Sequence, residues 1–402
     1  MDLTSGQPLW LIKSGLPYDY PKLDNDTKCD VVIMGGGISG ALVCYYLTNA
    51  GIDCILIDSR TIGLGSTSAS TALLQYEIDV PLSKLISLIG EKKAARSYEL
   101  CLDAIFKLSD IAEKFKLNSF DFKKSLYYAA YKKDIKLIKE EFKIRKKYGY
   151  KVSLLNNTDV QKRFCFDAPA AILSEIAAQV NPYLFTHHLL QDSISKGTKV
   201  YDRTEITNIN HQKNGVKIKT EEGKSISAKK LIYATGYEAV KYIEKKIVNL
   251  NSTYAISSEQ IQSNNDEFWE ENALIWNTAM PYLYIRTTID SRIIVGGRDE
   301  EFSNSNKRDK LLKSKALLLE KDFNKIFPHI PFKTEFSWTG TFGETKDGLP
   351  FIGNYSKLPN SFFTLGFGGN GITFSLIAAE IIRDLILGKK NRDSGLFSFD
   401  RI

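Results

Sequence analysis

Histidine and cysteine are scarce in this chain, and the few present are poorly placed for metal chemistry. Four histidines occur in 402 residues. His187, His188, His211 and His329 all lack metal-ligand companions, so no metal site is expected. The five cysteines, Cys29, Cys44, Cys54, Cys101 and Cys165, are odd in number and show no Cys-x-x-Cys spacing. That argues against a disulfide framework and against a structural zinc site. Long apolar runs are also missing. No stretch of about 18 apolar residues appears, so no membrane span is expected. The N-terminal MDLTSGQPLWLIKSGLPYDYP has neither a basic start nor an unbroken apolar core, and so does not read as a secretory signal. A cytoplasmic location is the resulting expectation.

A formal net charge of +7 raises the question of an acidic partner. The basic residues, however, lie mostly on segments where lysine alternates with glutamate and apolar positions. Between Lys132 and Lys151, the residues Ile135, Ile138, Phe142 and Ile144 form an approximate helical stripe, leaving the cations as a solvated face. No nucleic-acid motif accompanies the charge, so no nucleic-acid partner is expected. With 43% hydrophobic and 25% charged residues the chain has an ordinary globular composition. Its length exceeds one typical core, which predicts two domains or one domain with large insertions.

What is present is concentrated between Cys29 and Arg60. Val31 to Met34 suit a buried parallel strand, and Gly35, Gly37 and Gly40 follow at Gly-x-Gly-x-x-Gly spacing. The first glycine permits a tight turn, the second lets backbone approach a pyrophosphate, and the third lets the next helix pack closely. That helix, beginning at Ile38 and Ser39 and ending near Ala50, directs free N–H groups at an anion, and Gly51 supplies its stop. A second strand, Cys54 to Ile57, leads to Asp58, Ser59 and Arg60. Asp58 stands roughly 20 residues beyond the glycines, where a carboxylate accepts hydrogen bonds from a ribose.

The stretch after Asp58, IGLGSTSASTALLQYEID, offers Gly63, Gly65, Ser66, Thr67, Ser68, Ser70 and Thr71 and is expected to run beside the bound dinucleotide. Helical spacing covers Lys84 to Lys116. A strand-like SLYYAAY, a charged helix, an apolar AAILSEIAAQV and a helix from Pro182 to Lys196 follow. Short strands are expected around Lys199, Ile206 and Val216, and a buried strand, Leu231 to Ala234, ends at Gly236. The region from Val240 to Lys333 is rich in strand patterns and reads as a second domain. Alternation of Leu283, Ile285 and Thr287 with Tyr282, Tyr284 and Arg286 suggests a sheet with one face open to a site.

Near the C-terminus Gly366, Gly368 and Gly371 repeat the glycine spacing after the strand Phe362 to Leu365. Context argues against a second nucleotide unit. After the helix from Ile372 to Leu387 only GKKNRDSGLFSFDRI remains, with no further strand and no acid. The better reading is a helix N-terminus, opened by Asn370 and Gly371, aimed at another part of the same ligand.

Together these motifs resemble the FAD-dependent oxidoreductases of the D-amino-acid oxidase superfamily, in particular the branch with glycine oxidase, sarcosine oxidase and gamma-glutamylputrescine oxidoreductase. The resemblance spans nearly the whole chain through VVIMGGGISG, IGLGSTSAS, NPYLFTHHLL, LIYATG, KDGLPFIG and GFGGNGI. It implies an α/β fold: a Rossmann-like FAD-binding domain with a second, mixed-sheet (α+β) substrate domain. The FAD domain would be discontinuous, over 1–85, 150–239 and 334–402, with 86–149 and 240–333 forming the substrate part. It also implies Gly35, Gly37 and Gly40 on the pyrophosphate, Asp58 on the ribose, and Ile206 near the adenine. Gly65, Ser66, Thr67 and the chain through Thr71, Ala72 and Leu73 would border the flavin, and Gly368, Gly369, Asn370, Gly371, Ile372 and Thr373 would cover its carbonyl edge.

The implied chemistry is hydride transfer from the carbon beside an amine to flavin N5, followed by imine hydrolysis, with oxygen or a quinone as electron acceptor. Two departures bear on the substrate. Phe342 and Gly369 stand where relatives that oxidise amino acids carry arginines, and a carboxylate desolvated without a cation is costly. A secondary amine or a polyamine conjugate is therefore expected in place of a simple α-amino acid. Tyr254, Tyr284 and Arg286 are further pocket candidates. Each equally fits a packing role, and Arg286 equally fits a salt bridge. The stretch SWTGTFGET lacks the cysteine through which sarcosine-oxidising relatives attach FAD, so noncovalent FAD is expected. A 2-hydroxy-acid dehydrogenase of the same fold and a noncatalytic FAD-binding interaction protein remain open alternatives.

Overall fold

The strand Thr27–Met34 lies between two parallel neighbours, Cys54–Ile57 and Ser225–Tyr233, and its last four residues are buried. The unbroken apolar run is what a strand covered on both faces requires. The computed structural model describes residues 3–262, 267–302 and 304–401. Its smaller sheet runs in the order Phe351–Asn354, Ser361–Leu365, Ser225–Tyr233, Thr27–Met34, Cys54–Ile57 and Lys199–Tyr201. The pairings from Ser361–Leu365 across to Lys199–Tyr201 are parallel. The edge strand Phe351–Asn354 is antiparallel, and Ile206–Gln212 with Gly215–Thr220 extends the sheet beside Ser225–Tyr233.

Helices Ile38–Asn49, Pro182–Ser195 and Gly371–Ile386 share one core, built from residues such as Leu42, Leu47, Phe185, Leu189, Leu376 and Ile377. The start of Pro182–Ser195 is set locally: proline occupies its first position and Asn181 Oδ1 accepts from the N–H groups of Tyr183 and Leu184 at 3.1 Å. The segment of helical spacing from Lys84 to Lys116 forms two helices, Leu82–Ile89 and Glu91–Lys114, with Gly90 turning the chain between them at φ +85°. The second of these packs on the same core through Leu100, Ala104 and Leu108. The charged segment forms a helix over Ile135–Lys147.

The larger sheet is mixed. Its order is Thr4–Gly6, Thr334–Glu344, Asn249–Ser258, Ile293–Glu301, Tyr284–Thr287, Leu274–Asn277, Asp121–Tyr128, Ala170–Gln179 and Leu73–Leu74, with Val152–Asn156 beside Ala170–Gln179. Leu274–Asn277 runs parallel to Asp121–Tyr128, while the other pairs are antiparallel. Within this sheet Ala170–Gln179 and Thr334–Glu344 pair with strands from 86–149 and 240–333. The strand-rich segment Val240 to Lys333 also contains the long helix Ser305–Ile326. Leu319 and Phe323 of this helix cover one sheet face against Ile256, Ile285 and Val295. The opposite face closes over the glycine turn.

Candidate active site

Between the two sheets lies a cavity of about 530 Å³. One wall is the first glycine turn. Gly35 has φ +115°, and a Cβ on it would lie 2.3 Å from Ala234 O. A Cβ on Gly40 would lie 1.8 Å from Gly35 O, so only glycine lets the helix Ile38–Asn49 seat against the turn. Gly37, Ile38 and Ser39 line the cavity at that helix start, where Thr67 Oγ1 accepts from Ile38 N at 2.9 Å. Asp58 accepts from Gly36 N at 2.6 Å and Arg60 N at 2.7 Å. Burial nevertheless raises its pKa above the ordinary carboxylate value. Ser59, Arg60, Ile206 and Gly236 border the same region, with Arg60 bound to both carboxylate oxygens of Glu238 at 3.0 and 3.1 Å.

The second wall is the segment from Gly65 to Leu73, of which Ser66–Ala69 forms a short helical turn. Gly65, Ser66, Thr67, Thr71, Ala72 and Leu73 all face the cavity. The third wall is the C-terminal glycine segment, contributing Gly368, Gly369, Asn370, Gly371 and Ile372. Asn370 begins the helix Gly371–Ile386, and its Nδ2 donates to the carbonyls of Gln75 at 3.1 Å and Glu77 at 2.8 Å. The two glycine segments, from opposite ends of the chain, thus close on one cavity.

The larger sheet forms the roof. Trp276, Tyr284, Phe342 and Asp299 reach the cavity from its strands, joined by Tyr282 and by Asp79 from the connection after Leu73–Leu74. Asp79 accepts from Gly369 N at 2.6 Å and from Tyr282 Oη at 3.1 Å. Burial raises its pKa. Burial also raises Asp299, to about 7, with nearby Glu344 and Asp79 adding like-charge repulsion. Asp299 Oδ1 is buried without a hydrogen-bond partner, as are Ser66 Oγ and Thr235 Oγ1 on the cavity wall.

Four expected site residues lie elsewhere. Gly40 packs against the turn behind the wall, and Thr373 Oγ1 donates to Asn370 O at 2.9 Å inside its own helix. Tyr254 is fully buried on the far side of the larger sheet, where its hydroxyl donates to Arg308 O at 3.3 Å. Arg286 is buried, lies 5.2 Å from the Trp10 ring centre, and donates to the carbonyls of Thr71, Ala72, Val180 and Thr287. Burial lowers its pKa to about 9, which leaves it charged at neutral pH. It holds the cavity wall in place and does not reach the cavity. Sequence reasoning missed Asp79, Trp276, Tyr282 and Asp299 as site residues. Asp79 had a local signal, since it closes the small-residue stretch expected beside the cofactor.

A glycine-walled nucleotide cradle on a parallel sheet, roofed by a second sheet with an aromatic and acidic lining, defines a dinucleotide-dependent α/β oxidoreductase. The family model described as DAO, FAD dependent oxidoreductase, matches residues 30–385, and the chain belongs to this family. Probable oxidoreductase OrdL of Haemophilus influenzae (strain ATCC 51907 / DSM 11121 / KW20 / Rd) is 20% identical over 93% of this chain and 86% of its own length. Gamma-glutamylputrescine oxidoreductase of Escherichia coli (strain K12) is 22% identical over 94% of this chain and 87% of its own. The crystal structure of glycine oxidase from Geobacillus kaustophilus matches with a TM-score of 0.78 at 18% identity, covering 93% of this chain and 99% of that one.

The protein is thus an FAD-dependent oxidoreductase. The cavity fits that cofactor: side chains are excluded where backbone must come close, and Ser66 and Thr235 offer unpartnered hydroxyls. Among the described residues no helix is long and apolar enough to cross a membrane.

Proposed function

We propose that this protein oxidises the C–N bond of an amine, a secondary amine or polyamine conjugate in preference to a simple α-amino acid, with FAD held noncovalently. The observation that carries the reading is the chemistry of the cavity roof. Phe342 and Gly369 replace the arginines expected in carboxylate-binding relatives, Arg286 is engaged with four backbone carbonyls, and the acids Asp79 and Asp299 line the space instead. A substrate carboxylate placed there meets like charge without a paired cation.

The residues to hold FAD are the glycine turn and helix start at Gly35 to Ser39, Asp58 toward the ribose, Ser66 to Leu73 along the flavin, and Gly368 to Ile372 at its carbonyl edge. Bound FAD would supply the two-electron acceptor for oxidation of the amine, with loss of a hydride from carbon and a proton from nitrogen, to an imine that water hydrolyses. The chain's own part is to orient and desolvate. Trp276, Tyr282, Tyr284 and Phe342 exclude water from the roof, and Asp299, with a pKa near 7, can exchange a proton at working pH. No cysteine lines the cavity, in keeping with noncovalent cofactor. The free thiols found throughout agree with a cytoplasmic setting.

Anaerobic mixing of the holoenzyme with a panel of primary, secondary and polyamine substrates tests the reading. Loss of the oxidised-flavin absorbance with amines is expected. Bleaching by 2-hydroxy acids with none by amines would overturn it. Readmitting oxygen or a quinone analogue to the reduced enzyme identifies the electron acceptor, and acid precipitation is expected to release flavin into solution.

A further inference from the structure

The acids of the cavity roof are unusual in what surrounds them. Among the described residues neither Asp79 nor Asp299 forms an ion pair, although both line the same cavity. Lys315, the cation whose field reaches Asp299, is paired with Glu300. Asp79 is held by one backbone N–H and one phenol, and Asp299 Oδ1 has no hydrogen-bond partner, although the Thr253 hydroxyl acts on that carboxyl group. Both residues are half-buried, and a carboxylate drawn out of water without a cation is costly, and two repel each other, unless a cation arrives with the ligand. Aromatic rings complete the enclosure. Tyr282 lies 6.2 Å from Trp276 in edge-on geometry and 5.7 Å from Tyr284. Tyr284 keeps its place because Gly296 has no side chain, since a Cβ there would lie 2.2 Å from the ring. Carboxylates among electron-rich ring faces are the means by which proteins hold alkylammonium ions.

We infer that Asp79 and Asp299, enclosed by Trp276, Tyr282 and Tyr284, form a subsite for an ammonium group that the substrate carries in addition to the nitrogen being oxidised. The substrate class is then a diamine or polyamine. This assignment rests on the amine reading above and deepens it. One charged nitrogen is anchored while a second, deprotonated, is presented to the flavin, so chain length between the two nitrogens sets which C–N bond is positioned. The bond from Asp79 to Gly369 N ties the subsite to the C-terminal glycine segment, the wall assigned to the flavin's carbonyl edge.

Tetramethylammonium tests the subsite independently of turnover, because it is a permanent cation without an N–H bond. Its binding to the holoenzyme, followed by flavin absorbance and calorimetry, is expected to be measurable where acetate shows none. Asp299→Asn and Asp79→Asn are each expected to weaken it by about tenfold or more while FAD content is retained. If Asp79→Asn disturbs the Gly369 turn and loses flavin, Asp299→Asn alone decides. Anaerobic flavin reduction by 1,4-diaminobutane is expected to outpace that by butylamine, with the gap narrowed in Asp299→Asn.

Tighter binding of acetate than of tetramethylammonium, or an unchanged affinity in Asp299→Asn, overturns the subsite. The two readings fail separately. Cation binding that depends on Asp299 without flavin reduction by any amine removes the reaction and keeps the subsite, whereas amine oxidation with Asp299-independent binding does the reverse.

Discussion

Ser39 Oγ and Ser375 Oγ lie 2.7 Å apart, joining the helix after the first glycine turn to the helix after the last. Residues separated by almost the whole chain are thereby fixed on one side of the cavity. The two helices also share one buried core, which includes Leu42 and Leu47 of the first and Leu376 and Ile377 of the second.

Gly40→Ala is expected to abolish FAD retention. The new Cβ would lie 1.8 Å from Gly35 O, and relief requires moving the turn that forms the cofactor wall. Gly51→Ala is the contrast. Gly51 has φ +75° but nothing within 4 Å, so the cost is local strain of about 1–2 kcal/mol with flavin content unchanged. Flavin-to-protein absorbance ratios of the two purified variants check this, and equal flavin loss in both would contradict the steric argument.

Arg286→Met is expected to cost about 2–4 kcal/mol in urea unfolding, since four carbonyls, three of them in buried hydrogen bonds, lose their donor together. The KM for an amine, measured at saturating FAD, should shift little. A stable variant with a strongly altered KM would instead make Arg286 a substrate residue.

Asp299 gives binding of tetramethylammonium a pH dependence of definite sign. Its pKa is raised to about 7, so lowering the pH through that range protonates the carboxyl, removes its charge and weakens cation binding. The groups acting on it are Asp79, Glu344, Thr253 and Lys315, and Glu344 is itself raised by burial. Calorimetric titrations from pH 5.5 to 8.5 should show the affinity rising with pH in the native protein and flat in Asp299→Asn. A slope that survives in the variant would assign the effect to Glu344 or Asp79.

Arg145 lies between Glu77 at 3.1 Å and Glu141 at 2.8 Å, all three side chains fully buried. Although burial opposes its charge, Glu141 is held below its usual pKa by Arg145 and by the N–H groups of Leu82 and Ser83 at 2.9 Å. Burial raises the pKa of Glu77, so the carboxylate that depends most on the cation is Glu141, and Arg145→Met is expected to lose about 3–5 kcal/mol because it stays buried without Arg145. Urea unfolding measures it, and a loss below about 1 kcal/mol would mean the triad is not ionised as drawn.

The first glycine wall of the cavity was legible in sequence because its determinants are local: a strand, a turn and a helix within a few dozen residues, with glycines demanded by backbone contact. The C-terminal wall was legible for the same reason, once the missing strand and acid were weighed. The roof was legible only in part, through Tyr284 and Phe342. Asp79, Trp276, Tyr282 and Asp299 come from four separate segments and meet only in the folded chain. Alternation placed Tyr284 and Arg286 on one sheet face, and both do act there, but periodicity carries no information on whether an arginine ends at a ligand or at four carbonyls. The helix Ser305–Ile326 was hidden by strand-rich surroundings, although Leu312, Ala316, Leu319 and Phe323 follow helical spacing and Asn304 Oδ1 accepts from Lys307 N at 2.9 Å.

A Cβ at position 369 would sit 2.7 Å from Asp79 Oδ1 and 2.8 Å from Tyr282 Oη. Any side chain introduced there must first displace both. Divergence of this scaffold toward carboxylate-bearing substrates through an arginine at 369 therefore requires the Asp79 and Tyr282 side chains to shift with it, while Asp299 still favours a cation. Substrate preference in such a chamber is guarded by packing around position 369 as well as by charge.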